Sequence, residues 1–274
     1  MKGYKGFKKG LICKGKQYAE NTIFEEDSAK ICESGMHFCK NPLDTLDYYP
    51  LINDDGELNE FAEVEALDEV QTNDNKKFVT KKLRVGARLD LSGFIKASID
   101  FLFEHSKDAS SGDYAQLASS EDYAQLASSG NSAQLASSED YAQLASSGNS
   151  ARLASSGISA RLASSGDYAQ LASSGICARL ASSGNFAQLA SSGNFARLAS
   201  SGNSARLASS GDYCIIAGIG IKNKVKAALG SWIVLAEYDK YFKPVCVKSA
   251  QIDGKILKAD AWYKLRDGKF VEVE

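Results

Sequence analysis

Leucine recurs at every ninth residue from Leu117 to Leu207, with alanine two positions before each and one polar residue between. The stretch opens as SSGDYAQLASSEDYAQLASSGNSAQLA over residues 110–136 and keeps that form with small changes. Ala-x-Leu with a polar x is a period of two, the mark of a strand with one buried face. The Ser-Ser-Gly-Asp/Asn that follows carries turn residues: glycine reaches positive φ at little cost, and Asp or Asn bonds its own nearby backbone. A helix would have to absorb a glycine every nine residues at roughly 1 kcal/mol each. A Ser/Gly-rich linker would leave leucine at constant phase without a purpose. The pattern predicts short strands of about five residues separated by four-residue turns.

One such unit cannot bury its Ala and Leu alone, but stacked units can. The expected fold is mainly β: a β-solenoid of nine-residue repeats, two per coil, between an α+β N-terminal domain and a small β C-terminal cap. Shifts in composition place the boundaries at 1–108, 109–217 and 218–274. The clear repeats make between five and six coils, a rod of roughly 25–30 Å at about 4.8 Å per coil. Ile216, Val225 and Val234 continue the leucine phase. In the tail, Asp253-Gly254 and Asp267-Gly268 read as hairpin turns, and Trp232, Trp262 and Tyr263 are expected to cover the last coil.

The residue between Ala and Leu is expected to point outward. With two units per coil, one face reads Gln, Gln, Arg, Gln, Gln, Arg, and the other Gln125, Gln143, Arg161, Arg179, Arg197. Three consecutive arginines stacked about 5 Å apart repel unless an anion or acidic partner neutralises them. These five residues are the candidate binding row. The position before Ala is Tyr, Ser, Phe or Cys; aromatic rows beside arginines can stack on bases or sugars, or pack under the turns.

Known repeat chemistries narrow the reading. Calcium-binding nonapeptide solenoids need an Asp where this repeat has Ala. Ice-binding solenoids display ranked Thr, nearly absent here. The A-Q-L-A-S core is similar to the A-(D/N)-L-x-x of pentapeptide-repeat proteins, some of which mimic duplex DNA, but its period is nine rather than five. The repeat also looks like the Ser/Gly-rich repeats of ice-nucleation proteins, with a different period.

In the N-terminal segment, MHFC reads as a strand, NPLDTLDYY as a short capped helix with Pro42 in its first turn, FAEVEAL as a strand, and KKFVTKKLRVGARLDL as further strand. Cys13, Cys32, His37 and Cys39 are zinc-type ligands, yet C-x4-H-x-C is not a zinc-site spacing. G-x-x-x-x-G-K-[S/T], H-E-x-x-H and G-x-S-x-G are missing, so no cofactor and no metal is expected.

Composition adds little. A net charge of −2 gives no bulk case for nucleic acid or membrane. No stretch approaches the ~18 apolar residues of a membrane helix. The basic opening MKGYKGFKKG lacks the apolar run of a secretory leader, so a cytoplasmic protein is expected, in the host cell's cytoplasm if phage-encoded. The six cysteines are expected to stay reduced there.

MKGYKGF, SGMHFCKNPLDTLDYY and ADAWYKLRDGKFVEVE together resemble an uncharacterised family of phages and gut bacteria. Its members join a KGYK opening and a GFHFC…YY core to a tandem repeat and a similar tail. That resemblance implies a phage or prophage setting and carries no activity. The run SGMHFCKNPLDTLDYY…FAEVEA is also similar to the G-I-Y-F…S-A-x-Y…G-E-V run of ADP-ribosyltransferases. This second likeness implies NAD binding in a cleft near Tyr4 and His37. Tyr4 or Lys5 would lie on the opening strand, and His37 would replace that family's Tyr.

The expected function is non-enzymatic: a rigid scaffold presenting a repetitive surface to a macromolecular or anionic partner, with no membrane. A homo-oligomer through a solenoid face or cap is compatible with the pattern. The rivals are an ADP-ribosyltransferase-like domain on a rod, and a DNA-mimic or host-defence inhibitor, which would need a continuous acidic stripe that the mixed charge does not supply.

Overall fold

The structure, a computed structural model, describes residues 1–53, 55–105 and 112–273. It comprises two compact units, Met1–Phe101 and Leu102–Glu274. The expected boundary at 108/109 lies outside the described residues.

The first unit is built on strands β1 (Lys2–Phe7), β2 (Ile12–Cys13), β3 (Lys16–Gln17), β4 (Thr22–Glu25), β5 (Met36–Cys39), β6 (Glu60–Ala66), β7 (Val70–Thr72), β8 (Lys77–Thr80) and β9 (Lys82–Leu89). Seven of them form one antiparallel sheet in the order β4-β9-β6-β1-β5-β8-β7, and β2–β3 is a separate tight hairpin. The central place of β1 explains the glycines of KGYKGF. A Cβ on Gly3 would sit 2.5 Å from the Cys39 carbonyl oxygen, and one on Gly6 would sit 2.6 Å from the Tyr49 Cβ. NPLDTLDYY forms a 3-10 turn over Pro42–Asp47, started by Asn41, whose Oδ1 accepts from the Leu43 amide. The sequence reading missed helix α1 (Leu91–His105). Its signals were an N-cap, Asp90, whose Oδ1 accepts from the Gly93 amide at 2.7 Å, and apolar residues at Phe94, Ile95 and Ile99. Phe94 stacks on Phe61 of β6.

The second unit is a β-solenoid. Successive four-residue strands alternate between two parallel sheets, and each pairs with the strand eighteen residues on. The first sheet begins with Gln116–Ser119 and the second with Gln125–Ser128. Leu pairs with Leu along each sheet, and the leucine ladders, with the alanine two positions before each leucine, form the buried core. The rod has about seven coils rather than five to six, because Lys224–Ala227 and Trp232–Tyr238 extend it past the clear repeats. One coil there is a residue short: Ile216 pairs with Ile233, so Ile233 and not Val234 takes the leucine place. The same slip turns Trp232 into the outward row, half exposed, whereas Trp262 and Tyr263 are buried as expected.

The turn chemistry differs from expectation in two respects. The left-handed residue is not glycine but the variable one before Ala, from Tyr114 to Tyr213, with φ near +60°. The solenoid glycines are needed for close approach instead: a Cβ on Gly184 would sit 1.9 Å from the Gly166 carbonyl oxygen of the previous coil. Second, the Asp and Asn side chains bond across coils, not to their own turn. On the first edge of the rod, Asp113, Asn131, Asn149, Asp167, Asn185 and Asn203 each accept from the backbone amide eighteen residues on, at 2.7–3.0 Å. These side chains extend the coil-to-coil hydrogen bonding beyond the strands.

Both sheets end in antiparallel strands. Pro244–Gln251 pairs with Trp232–Tyr238, and Trp262–Arg266 joins the other sheet and pairs with Lys269–Val273. Asp267 and Gly268, both left-handed, make the two-residue turn of that last hairpin. Asp253-Gly254 is not a hairpin turn. The strands flanking it belong to different sheets, and the Asp253 carboxylate instead accepts from the amides of Lys255, Ile256 and Leu257. No helix among the described residues is long and apolar enough to cross a membrane.

Candidate functional site

The repeat brings the candidate row into register. Gln125 pairs with Gln143, Gln143 with Arg161, Arg161 with Arg179, and Arg179 with Arg197. All five side chains are exposed on the outer face of the second sheet. In the first sheet the equivalent Gln134 and Arg152 are buried, so the expectation of an outward, solvated row holds for one sheet and not the other. Among the described residues no carboxylate pairs with Arg161, Arg179 or Arg197. Beside the row runs a shallow groove of about 950 Å³. It is lined by the outward alanines Ala127, Ala145, Ala163, Ala181 and Ala199 and by the serines that follow each of them.

The edge next to the arginines departs from the Asp/Asn rule. Asp122 and Asp140 each accept from the next coil through their side chains, and so does Asn194, but Ile158 and Ile176 stand between them with no side-chain oxygen to offer. Both isoleucines are exposed, at 44% and 47%. They immediately precede the units of Arg161 and Arg179. Stacked aromatic pairs flank them along the same edge: Tyr123 with Tyr141 at 5.0 Å, and Phe195 with Tyr213 at 5.8 Å. The aromatics therefore stand out from the rod rather than packing under its turns. Nothing in the sequence reading singled out the isoleucines; the signal was a hydrophobic residue in an Asp/Asn slot.

In the first unit, Tyr4 and His37 line one pocket of about 410 Å³, together with Lys5, Cys13, Tyr18 and Tyr49. His37 does not have the character of a base. Burial, then Lys5, Lys77 and Lys14, push its pKa down to about 4, and its Nε2 accepts from the Cys32 amide at 3.0 Å. Cys39 is pushed up to about 12, first by burial and then by Asp44 and Asp47, so its thiol stays protonated at neutral pH. Among the described residues no three His, Cys, Asp or Glu side chains converge as a metal site. Lys5, which the sequence reading placed only as an alternative to Tyr4 on the opening strand, is the most buried charge here.

The chain thus joins a seven-stranded antiparallel sheet domain to a β-solenoid. Residues 1–97 match the model of a family described as a domain of unknown function (DUF7666). No curated protein matches the chain, and no solved structure does.

Proposed function

We propose that the rod is a binding scaffold whose second sheet engages an extended, negatively charged macromolecule, in a phage or prophage setting. The unpaired arginine ladder beside an apolar edge carries this reading. Each adjacent arginine pair, one strand spacing apart, costs about 1 kcal/mol of repulsion even in water. Each isoleucine also forgoes a ladder hydrogen bond worth about 1 kcal/mol and exposes apolar surface. Natural sequences give up local consistency of this kind at functional places. An anionic chain lying along the rod would neutralise the guanidinium row, while the isoleucines and aromatic pairs supply dry contact. The rod's length is set by repeat number, since each coil contacts only its neighbours. The phage setting rests on the resemblance of the opening and tail motifs. An acidic DNA mimic would need the opposite charge on this face.

The test uses inorganic polyphosphate as a simple extended anion. Wild type should bind it with an affinity that falls steeply with salt, and Arg161→Gln/Arg179→Gln/Arg197→Gln should bind at least tenfold more weakly without loss of thermal stability. Equal binding by both proteins would remove the arginine row from the account. A second pair of changes separates stability from binding. Ile158→Asn with Ile176→Asn restores the missing acceptors and should raise unfolding stability in urea by up to about 1 kcal/mol per site, while loosening capture of the natural partner from host lysate. A loss of stability would show that the isoleucines serve the fold.

A further inference from the structure

The pocket of the first unit holds an unneutralised cation. Lys5 is 5% exposed on the central strand β1, and its Nζ donates to the His37 carbonyl oxygen at 2.8 Å. The rings of Phe7 and Tyr18 lie 5.5 Å from the same nitrogen. Among the described residues no carboxylate pairs with it. Both acids that line the same pocket are already engaged: Glu26 Oε1 takes Lys16 at 2.9 Å and its Oε2 accepts from the Gly35 amide at 3.1 Å, and Glu33 pairs with Lys30 at 3.6 Å. A buried ammonium held only by a carbonyl and the Cys13 sulfur is costly. Burial pushes its pKa down, opposed by the Cys13 thiol beside it.

The surroundings show what would relieve that cost. The β2–β3 hairpin turns at Lys14-Gly15, both left-handed, and so brings Cys13, Lys14 and Lys16 to the pocket. Lys77, from β8, lies at its rim with its Nζ 4.4 Å from the Tyr48 ring centre. The walls are aromatic, formed by Phe38, Tyr48 and Tyr49. Four lysines against two glutamates make the lining positive. The volume suits a small molecule and not a polymer.

We propose that this pocket binds a small planar organic anion, with the carboxylate or phosphate seated on Lys5 and the ring between the tyrosines. The site lies wholly within the first unit and shares no residue with the arginine row. Its ligand would supply the buried Lys5 with an opposite charge, and the rim lysines would draw it in.

Two probes distinguish the anion types: AMP for a phosphate and 4-hydroxybenzoate for a carboxylate. Calorimetric titration of the full chain should show one of them binding. Lys5→Met, which keeps the side chain's length and removes its charge, should weaken that binding at least tenfold. If Lys5→Met does not fold, Lys14→Gln/Lys77→Gln should weaken the same probe severalfold. Failure of both probes to bind wild type would overturn the proposal. So would binding that Lys5→Met, or the rim variant in its place, leaves unchanged.

Discussion

Leu162→Ala should lower the unfolding free energy of the rod by roughly 2–5 kcal/mol, the range for emptying a packed leucine site. Leu162 is fully buried and stacks in register between Leu144 and Leu180. Its place cannot collapse easily, because the backbone on either side is tied to neighbouring coils. Arg161 donates its amide to the Ala142 carbonyl, and Ser165 donates to Ser146. The narrow core also has no second layer of side chains to refill the gap, since the inward places on either side of Leu162 are the small, buried Ala160 and Ser164. In a stack of nearest-neighbour units, such a defect weakens two interfaces at once. Urea unfolding of wild type and variant measures the difference. A loss below about 1 kcal/mol, the size of a surface change, would mean that the leucine ladder is not the rod's core.

Gly184→Ala should destabilise the rod by about 1–3 kcal/mol or more, as overpacking does. Its added Cβ would meet the Gly166 carbonyl oxygen at 1.9 Å, and backbone on that side cannot swing away as a side chain could. Gly112→Ala is the matched control. It is the same place in the repeat but in the first coil, with nothing among the described residues within 4 Å of the new Cβ, and it should leave stability almost unchanged. Glu121 fits the same logic, since it also lies in the first coil. Glu139 is the one stacked place that carries a side chain, and nothing in the structure explains how it is accommodated. Thermal unfolding of the two alanine variants compares them directly; equal transitions would contradict the close-approach explanation.

The solenoid was legible because its signal is redundant. Leu at a strict period of nine with Ala two before it leaves few ways to bury both, and two units per coil followed from the need for two inward faces. The register of Gln125, Gln143, Arg161, Arg179 and Arg197 came with that choice. The turns were less legible. Gly, Asp and Asn all have local turn roles, and only the stacked coils show that here they act across an eighteen-residue gap. The one-residue slip before Trp232 was hidden because Ile233 and Val234 are equally apolar. Lys5 could not be singled out from sequence, since a lysine on a strand is ordinarily solvated and its burial depends on β5, the β2–β3 hairpin and the Tyr48-Tyr49 segment meeting around it.

The central claim is that the partner lies on the arginine face and the apolar edge beside it. Hydroxyl-radical footprinting of wild type with and without its captured partner tests this directly, because each edge of the rod carries its own reporters. Tyr141, Ile158 and Phe195 mark the edge next to the arginines, and the stacked Tyr168 and Phe186 mark the opposite one. Protection of the first set, with Tyr168 and Phe186 oxidised as before, is the predicted result. Protection of Tyr168 and Phe186 with the first set unchanged would place the partner elsewhere and contradict the account.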